Sequence, residues 1–180
     1  MPVGLDDRRR VGQSEQTGVD PVTMMLEVID LDSGAARTTE DIFTGASHPM
    51  PTGRIFGGQV LAQAIIAADR TTGDDRVPHS MHGYFLRPGD ASQGLTLSVD
   101  RIHDGRSFST RRTQAYQHGV PIFSMIASFE SEDPGLDHQA APPAGIPAPE
   151  DLVSATSTHP LSRRLLADSA IEVLHAEGGI

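Results

Sequence analysis

The chain has 180 residues, 14 Lys+Arg against 24 Asp+Glu, a formal net charge of −10, and neither Cys nor Trp. That length suits one ordinary domain with tails rather than two complete domains, and the anionic balance argues against a general nucleic-acid binder, which needs clustered positive charge. The lack of Cys excludes a disulfide framework, a thiolate nucleophile and a cysteine zinc site. Residues 1–22 are polar and without periodicity and read as a flexible tail. Asp6, Asp7, Arg8, Arg9 and Arg10 without an apolar core are not a signal peptide, and no apolar run reaches the ~18 residues of a membrane helix. The expectation is a soluble cytoplasmic protein with no nucleic-acid partner, no membrane span, no metal and no cofactor.

The fold is expected over residues 23–130. Leu26-Glu27-Val28-Ile29-Asp30-Leu31-Asp32 alternates imperfectly and stops at Ser33-Gly34, which predicts a first strand. Residues 38–53 read as a second short extended piece and a loop interrupted by Pro49 and Pro51. Residues 58–70, closed by Thr71-Thr72-Gly73, predict a helix. It is apolar on nearly every side, so it is buried, with Gln59 and Gln63 sharing the one polar edge of its first turns. Four strand-like runs follow, 77–87, 94–103, 106–117 and 120–130, read as an antiparallel meander with Asp104-Gly105 and His118-Gly119 as turns. The last run is apolar on both faces: one side is expected to cover the helix and the other to meet a partner. Residues 131–160 hold six prolines and read as a linker. Residues 161–168 predict a short amphipathic helix, and 171–174 the opening of another strand within a final segment, 161–180.

Three stretches carry a resemblance. They are Arg54-Ile55-Phe56-Gly57-Gly58-Gln59-Val60-Leu61-Ala62-Gln63-Ala64, His79-Ser80-Met81-His82-Gly83-Tyr84-Phe85-Leu86-Arg87-Pro88-Gly89-Asp90 and Asp104-Gly105-Arg106-Ser107-Phe108-Ser109-Thr110-Arg111-Arg112. With residues 121–129 and Asp137-His138-Gln139, they resemble the first half of a type II acyl-CoA thioesterase. The resemblance implies an α+β hot-dog fold, an antiparallel sheet wrapped around one central helix, with an acyl-CoA substrate. Family chains carry two such repeats, and this sequence resembles the first repeat, the linker and the start of a second, incomplete one. The family's catalytic Asp, Thr and Gln lie in the second repeat, and no position here matches them. Where the repeat pattern puts an acid near the helix start, this sequence has Gln59, and an amide is no general base. His79 matches a first-half histidine that has been proposed as functional, and is the catalytic candidate.

Thioester hydrolysis needs an activated water and donors aimed at the oxygen that becomes anionic. Gly57 and Gly58 at a helix N-terminus can supply those donors; the bland alternative is that they only permit close packing. His79 is expected at the end of the sheet where the helix begins, on the opposite face from His82, with a hydrogen-bonded structural role as its alternative. His48 and His103 read as solvated loop residues, and Asp69 as a surface residue too far from the glycines to act with them. Gln59 and Gln63 either orient a water or are satisfied buried amides. Arg106, Arg111 and Arg112 on one hairpin, together with Arg87, are the cations available to coenzyme A phosphates; adjacent Arg111 and Arg112 point to opposite faces, so one of them is left to surface salt bridges. The substrate-binding set is thus Phe56, Gly57, Gly58, Gln59, Arg87, Arg106 and Ser107. Two alternatives stay open: a hot-dog hydratase, whose Asp, Asn-Pro and His pattern is not met by Asp41 and His48-Pro49, and a catalytically silent acyl-binding or dimer-forming module. A free sheet edge and an apolar face predict a homo-oligomer joined through the hot-dog sheets.

Overall fold

Asp20 and Pro21 decide how the fold begins. In the computed structural model, which describes residues 20–34, 40–132, 134–141, 143–152 and 170–174, the Asp20 carboxylate accepts from the Thr23 N–H at 3.1 Å and opens a helix, Pro21–Ile29 (α1). Pro21 stands in the first turn, where a missing N–H costs nothing. The strand expected at 26–32 is therefore helix through Ile29, and only Asp32–Gly34 (β1) is extended. The imperfect alternation there is the apolar side of a helix: Val28 and Leu31 are buried and Leu26 is exposed. Pro21 and Val22, within the segment expected as tail, form the first turn of α1; residues 1–19 lie outside the described residues.

The remaining elements are Asp41–Gly45 (β2), Gly57–Asp69 (α2), Arg76–Phe85 (β3), Leu95–Asp104 (β4), Phe108–Gln117 (β5) and Val120–Ser131 (β6). All pairings are antiparallel, in the order β1-β2-β4-β5-β6-β3. Only β4, β5 and β6 form a meander. The first of the four expected runs pairs with the fourth: β3 crosses to the far side of β6 and forms the sheet edge. Pro78 carried the signal, since a residue without an N–H sits at edges or bulges. The β5–β6 turn has positive φ at both His118 (50°) and Gly119 (75°), as a two-residue hairpin of the right twist requires.

One face of this sheet holds α2. Val60, Ala64, Ala67 and Ala68 are buried against Leu95, Leu97, Val99, Ala115, Phe123, Met125, Ala127 and Phe129. The alanines let the helix approach closely, and the sheet supplies the bulk. On the other side of α2, Leu61, Ile65 and Ile66 are half-buried, so the helix is less enclosed than its composition predicts. On β6, alternation groups Ile122 with Val120 and Ile126 on the face away from Phe123, yet Ile122 joins the inner residues. The β5–β6 register shifts between Ala115 and Tyr116, and the bulge places Ile122 beside Phe123 in the core.

Gln63 ties the start of the chain to the helix. Fully buried, its Nε2 donates to the carbonyls of Val28 (2.7 Å) and Ala46 (2.8 Å), while its Oε1 accepts from Gln59 Nε2 (3.3 Å). Gln63→Leu removes the side-chain donor of the Val28 carbonyl, one of the two amide donors of the Ala46 carbonyl and an acceptor of Gln59, and is expected to cost about 1–3 kcal/mol, measured as a lower urea midpoint with an unchanged slope.

Residues 134–141 and 143–152 run outside the sheet, with one 3-10 turn at Pro149–Asp151. The helix expected at 161–168 lies outside the described residues, and 171–174 form no strand among them.

Candidate active site

The antiparallel order gives the domain two ends. At one lie the N-terminus of α2, the end of β3, the start of β4 and the β5–β6 turn; at the other lie the C-terminus of α2, the start of β3 and the β4–β5 turn. A pocket of about 380 Å³ opens at the first end, lined by Arg54, Ile55, Gly57, Val60, Phe85, Leu86, Arg87, Pro88, Gly89 and Ile122. Its size is within the range of small-molecule sites. Its walls are apolar, its rim carries two arginines, and no Asp, Glu or His lines it.

Backbone bonds lock the two rim segments together. Ile55 N–H donates to the Gly89 carbonyl (3.0 Å), Ala91 N–H to Gly53 (3.0 Å), and Arg54 and Asp90 form an isolated bridge. The Leu86 and Arg87 N–H groups both donate to the Ile122 carbonyl, and Arg87 Nη1 donates to the Pro121 carbonyl at 2.8 Å. Gln117, buried at the end of β5, accepts from the Asp90 N–H (2.8 Å) and donates to the Asp90 carbonyl (2.9 Å). The Asp90 carboxyl lies below the usual carboxylate range because it accepts the Ser92 N–H and hydroxyl.

Gly57 faces the Phe85 ring: a Cβ there would lie 3.1 Å from its tip. At Gly58 a Cβ would meet the Phe56 ring at 2.5 Å. The close-packing role of the two glycines is therefore present. Their N–H groups find no acceptor among the described residues, so positive helix-end dipoles remain beside the pocket. Phe56, half-exposed, sits at the N-cap without a side-chain cap bond.

Gln59 does not face this pocket. It is buried, its Oε1 accepts the His48 N–H (3.0 Å), and its Nε2 donates to the Ala46 carbonyl and to Gln63. Its amide fixes the 46–48 loop rather than a substrate. His48 is correspondingly half-buried, with Nδ1 shielded from solvent, and is not the solvated loop residue expected; His103 is exposed.

His79 stands at the other end of the domain. It follows the turn after the C-terminus of α2, about 20 Å along β3 from Phe85. The β3–β6 register shifts between Pro78 and Ser80, and this bulge turns His79 onto the outer face, the face of His82, contrary to the alternation counted in sequence. Its Nε2 lies 2.9 Å from Ser128 Oγ, and its ring meets Phe108 edge-on at 5.6 Å. Within this domain it does not reach Gly57. His79→Gln is expected to change decanoyl-CoA binding by the unpaired domain by less than about threefold; a loss of about tenfold or more, measured by calorimetry, would place the imidazole at this pocket.

Arg106 and Ser107 share that far end. The Arg106 and Gly105 carbonyls accept Arg76 Nη2, and the Ser107 carbonyl accepts the Ser131 N–H. Arg112 lies on the outer face, paired with Asp100. Arg111, expected among the phosphate-binding cations, is 1% exposed and spends all five N–H groups inside the fold. Its burial follows from the alternation Ser109, Arg111, Thr113, Ala115 on the face toward α2. Sequence reasoning left Arg54, Ile55, Val60 and Ile122 out of the site, although Arg54 opens the stretch that carries the resemblance.

Residues 46–130 match the family model of the acyl-CoA thioesterase N-terminal domain. The chain carries the N-terminal domain of the acyl-CoA thioesterase family. It is similar to human acyl-coenzyme A thioesterase 8, with 40% identity over 133 residues, which cover 73% of this chain and 39% of the relative. It is also similar to acyl-CoA thioesterase 2 of Haemophilus influenzae, with 37% identity over 141 residues, covering 73% and 49%. Among solved structures, an acyl-CoA thioesterase II of Mycobacterium marinum superposes with a TM-score of 0.62 at 43% identity, covering 72% of this chain and 47% of that one. The chain thus spans half or less of the length of these three thioesterases, and the six-strand antiparallel sheet with its packed helix is the hot-dog fold.

Proposed function

We propose that the protein hydrolyses fatty acyl-CoA to free fatty acid and coenzyme A, with the cytoplasm as its compartment. The single observation that supports this best is the pocket at the N-terminus of α2, set within residues that match a thioesterase domain. In this reading the acyl chain lies against Ile55, Val60, Phe85 and Ile122. The thioester oxygen meets the free N–H groups of Gly57 and Gly58, and Arg87 holds an anionic part of the carrier. None of the pocket residues is a base, so the group that activates water comes from a second hot-dog unit.

Two features favour a second unit along β3. This ten-residue edge strand exposes Val77, Met81, Tyr84 and Phe85, and Phe85 and Leu86 place the open side of the pocket beside it. Leu61 and Ile65 on α2 remain half-buried. Antiparallel pairing of two β3 strands sets the start of one against the end of the other. It thereby carries Arg106 and Ser107 of one unit toward the pocket of its neighbour, which unites a binding set that one domain keeps at opposite ends. The 180-residue chain is expected to dimerise by this route. Thiol release from decanoyl-CoA, followed with a colorimetric reagent, tests the reading: saturable binding without turnover would leave a silent acyl-binding module instead.

A further inference from the structure

We propose that Arg54 is a second substrate-binding cation, which with Arg87 forms a pincer for the phosphate groups of the coenzyme A carrier and sets the preference for CoA thioesters over phosphate-free ones. The proposal rests on the acyl-CoA reading of the pocket and adds to it the residue that recognises the carrier.

The chain has a net charge of −10, and most of its described arginines are neutralised. Arg70, Arg76, Arg101, Arg111 and Arg112 each reach a carboxylate. The two arginines that line the pocket do not. Arg87 is anchored by one bond from Nη1 to the Pro121 carbonyl, and its Nε and Nη2 have no protein acceptor among the described residues. The Arg54 guanidinium has neither a hydrogen bond nor an ion pair among them; only its backbone is engaged, by Thr52 and by the bridge to Asp90. Asp90, the nearby acid, is occupied by the Ser92 N–H and hydroxyl at 2.8 and 2.7 Å.

The bonds between 53–55 and 89–91 hold both cations on one rim, at the mouth of an apolar pocket. Two uncompensated guanidiniums at such a mouth suit a ligand with a chain at one end and several anionic oxygens at the other, and planar forked donors suit phosphate in particular. On an anionic protein, a local cationic rim also draws such a ligand from solution.

The test compares Arg54→Gln with the unaltered protein on free coenzyme A, by calorimetry, and on decanoyl-CoA against decanoyl-N-acetylcysteamine, which keeps the thioester and lacks the phosphates. The Arg54 side chain is exposed and unbonded, so the variant is expected to fold, as checked by circular dichroism. The expected result is about tenfold weaker coenzyme A binding and an about tenfold higher KM for decanoyl-CoA, with kcat held and the N-acetylcysteamine KM unchanged. Unchanged coenzyme A binding, or an equal rise of KM on both thioesters, would overturn the pincer. Weaker binding of dodecanoate but not of coenzyme A would overturn it too, by assigning the cations to the fatty carboxylate. Calorimetry decides the matter even in a protein that turns nothing over, and such a silent protein would count against the hydrolysis reading alone.

Discussion

Arg111→Met is expected to lower the unfolding free energy by about 3–5 kcal/mol. The guanidinium is 1% exposed and joins three elements. Nε donates to Thr71 Oγ1 (2.7 Å) and Nη2 to the Thr71 carbonyl (2.9 Å), just past the C-terminus of α2; Nη1 donates to the carbonyls of His103 and Thr110 (both 3.0 Å); and Nη2 also reaches the Asp104 carboxylate (2.6 Å). Met fills much of the volume but supplies no donor, so the acceptors of Thr71 and His103 are left dry. Arg111→Lys restores the charge with a point donor that cannot span them, and is expected to recover less than half of the loss.

The arginine also leaves a pH signature. Its hydrogen bond holds the Asp104 carboxyl below its ordinary value of 3.8, with Ser109 and Arg101 assisting against partial desolvation. A carboxyl whose folded value is depressed stabilises the fold fully above its unfolded value and loses that contribution as pH falls through the folded one. Acid unfolding below about pH 4 is therefore expected to be shallower in Arg111→Met than in the parent. Asp104 is half-exposed, so solvent screens this effect and the buried bonds carry most of the loss. Urea unfolding at neutral pH decides the main claim, and a change below about 1 kcal/mol would contradict it.

Met81→Lys is expected to separate assembly from folding. Met81 lies opposite Ala127 in the middle of β3, on the inner face but half-exposed because nothing beyond the edge covers it. A lysine there keeps its stem on the sheet and its ammonium in water, so the isolated domain tolerates it. Pairing with a second hot-dog unit does not, because a charge on an edge strand blocks continuation of the sheet. The expected outcome is a folded monomer by light scattering, with turnover reduced by about 10²–10⁴, the share a general base supplies. A dimer of unchanged mass would remove β3 as the joint.

The helix α2 was legible because its apolar spacing sits between a Gly-Gly start and a Thr-Thr-Gly stop, and the β4–β5–β6 meander because Asp104-Gly105 and His118-Gly119 punctuate alternating runs. What escaped depends on long-range pairing or on a single backbone irregularity. The cap formed by Asp20 and Pro21 outweighed seven residues of imperfect alternation. The bulge at His79 reversed a face assignment that counting by twos had fixed, and the position of His79 at the start of β3, about 20 Å from Phe85, keeps the one candidate base away from the pocket of its own domain. Alternation did place Arg111 on the face of Thr113 and Ala115, but charge alone suggested a ligand. The sequence gathers the site residues into one set, whereas the antiparallel course of β3 and β4 puts His79, Arg106 and Ser107 at one end of the domain and Phe56, Gly57, Gly58 and Arg87 at the other.

The rate of thiol release from decanoyl-CoA, measured over protein concentrations that span the monomer–dimer transition and alongside mass by light scattering, tests the shared-site account most directly. The account predicts that turnover per chain rises with the fraction of paired chains and stays about 10²–10⁴ lower in Met81→Lys. An equal rate per chain in the isolated monomer, or a paired form that binds decanoyl-CoA and releases no thiol, would contradict it.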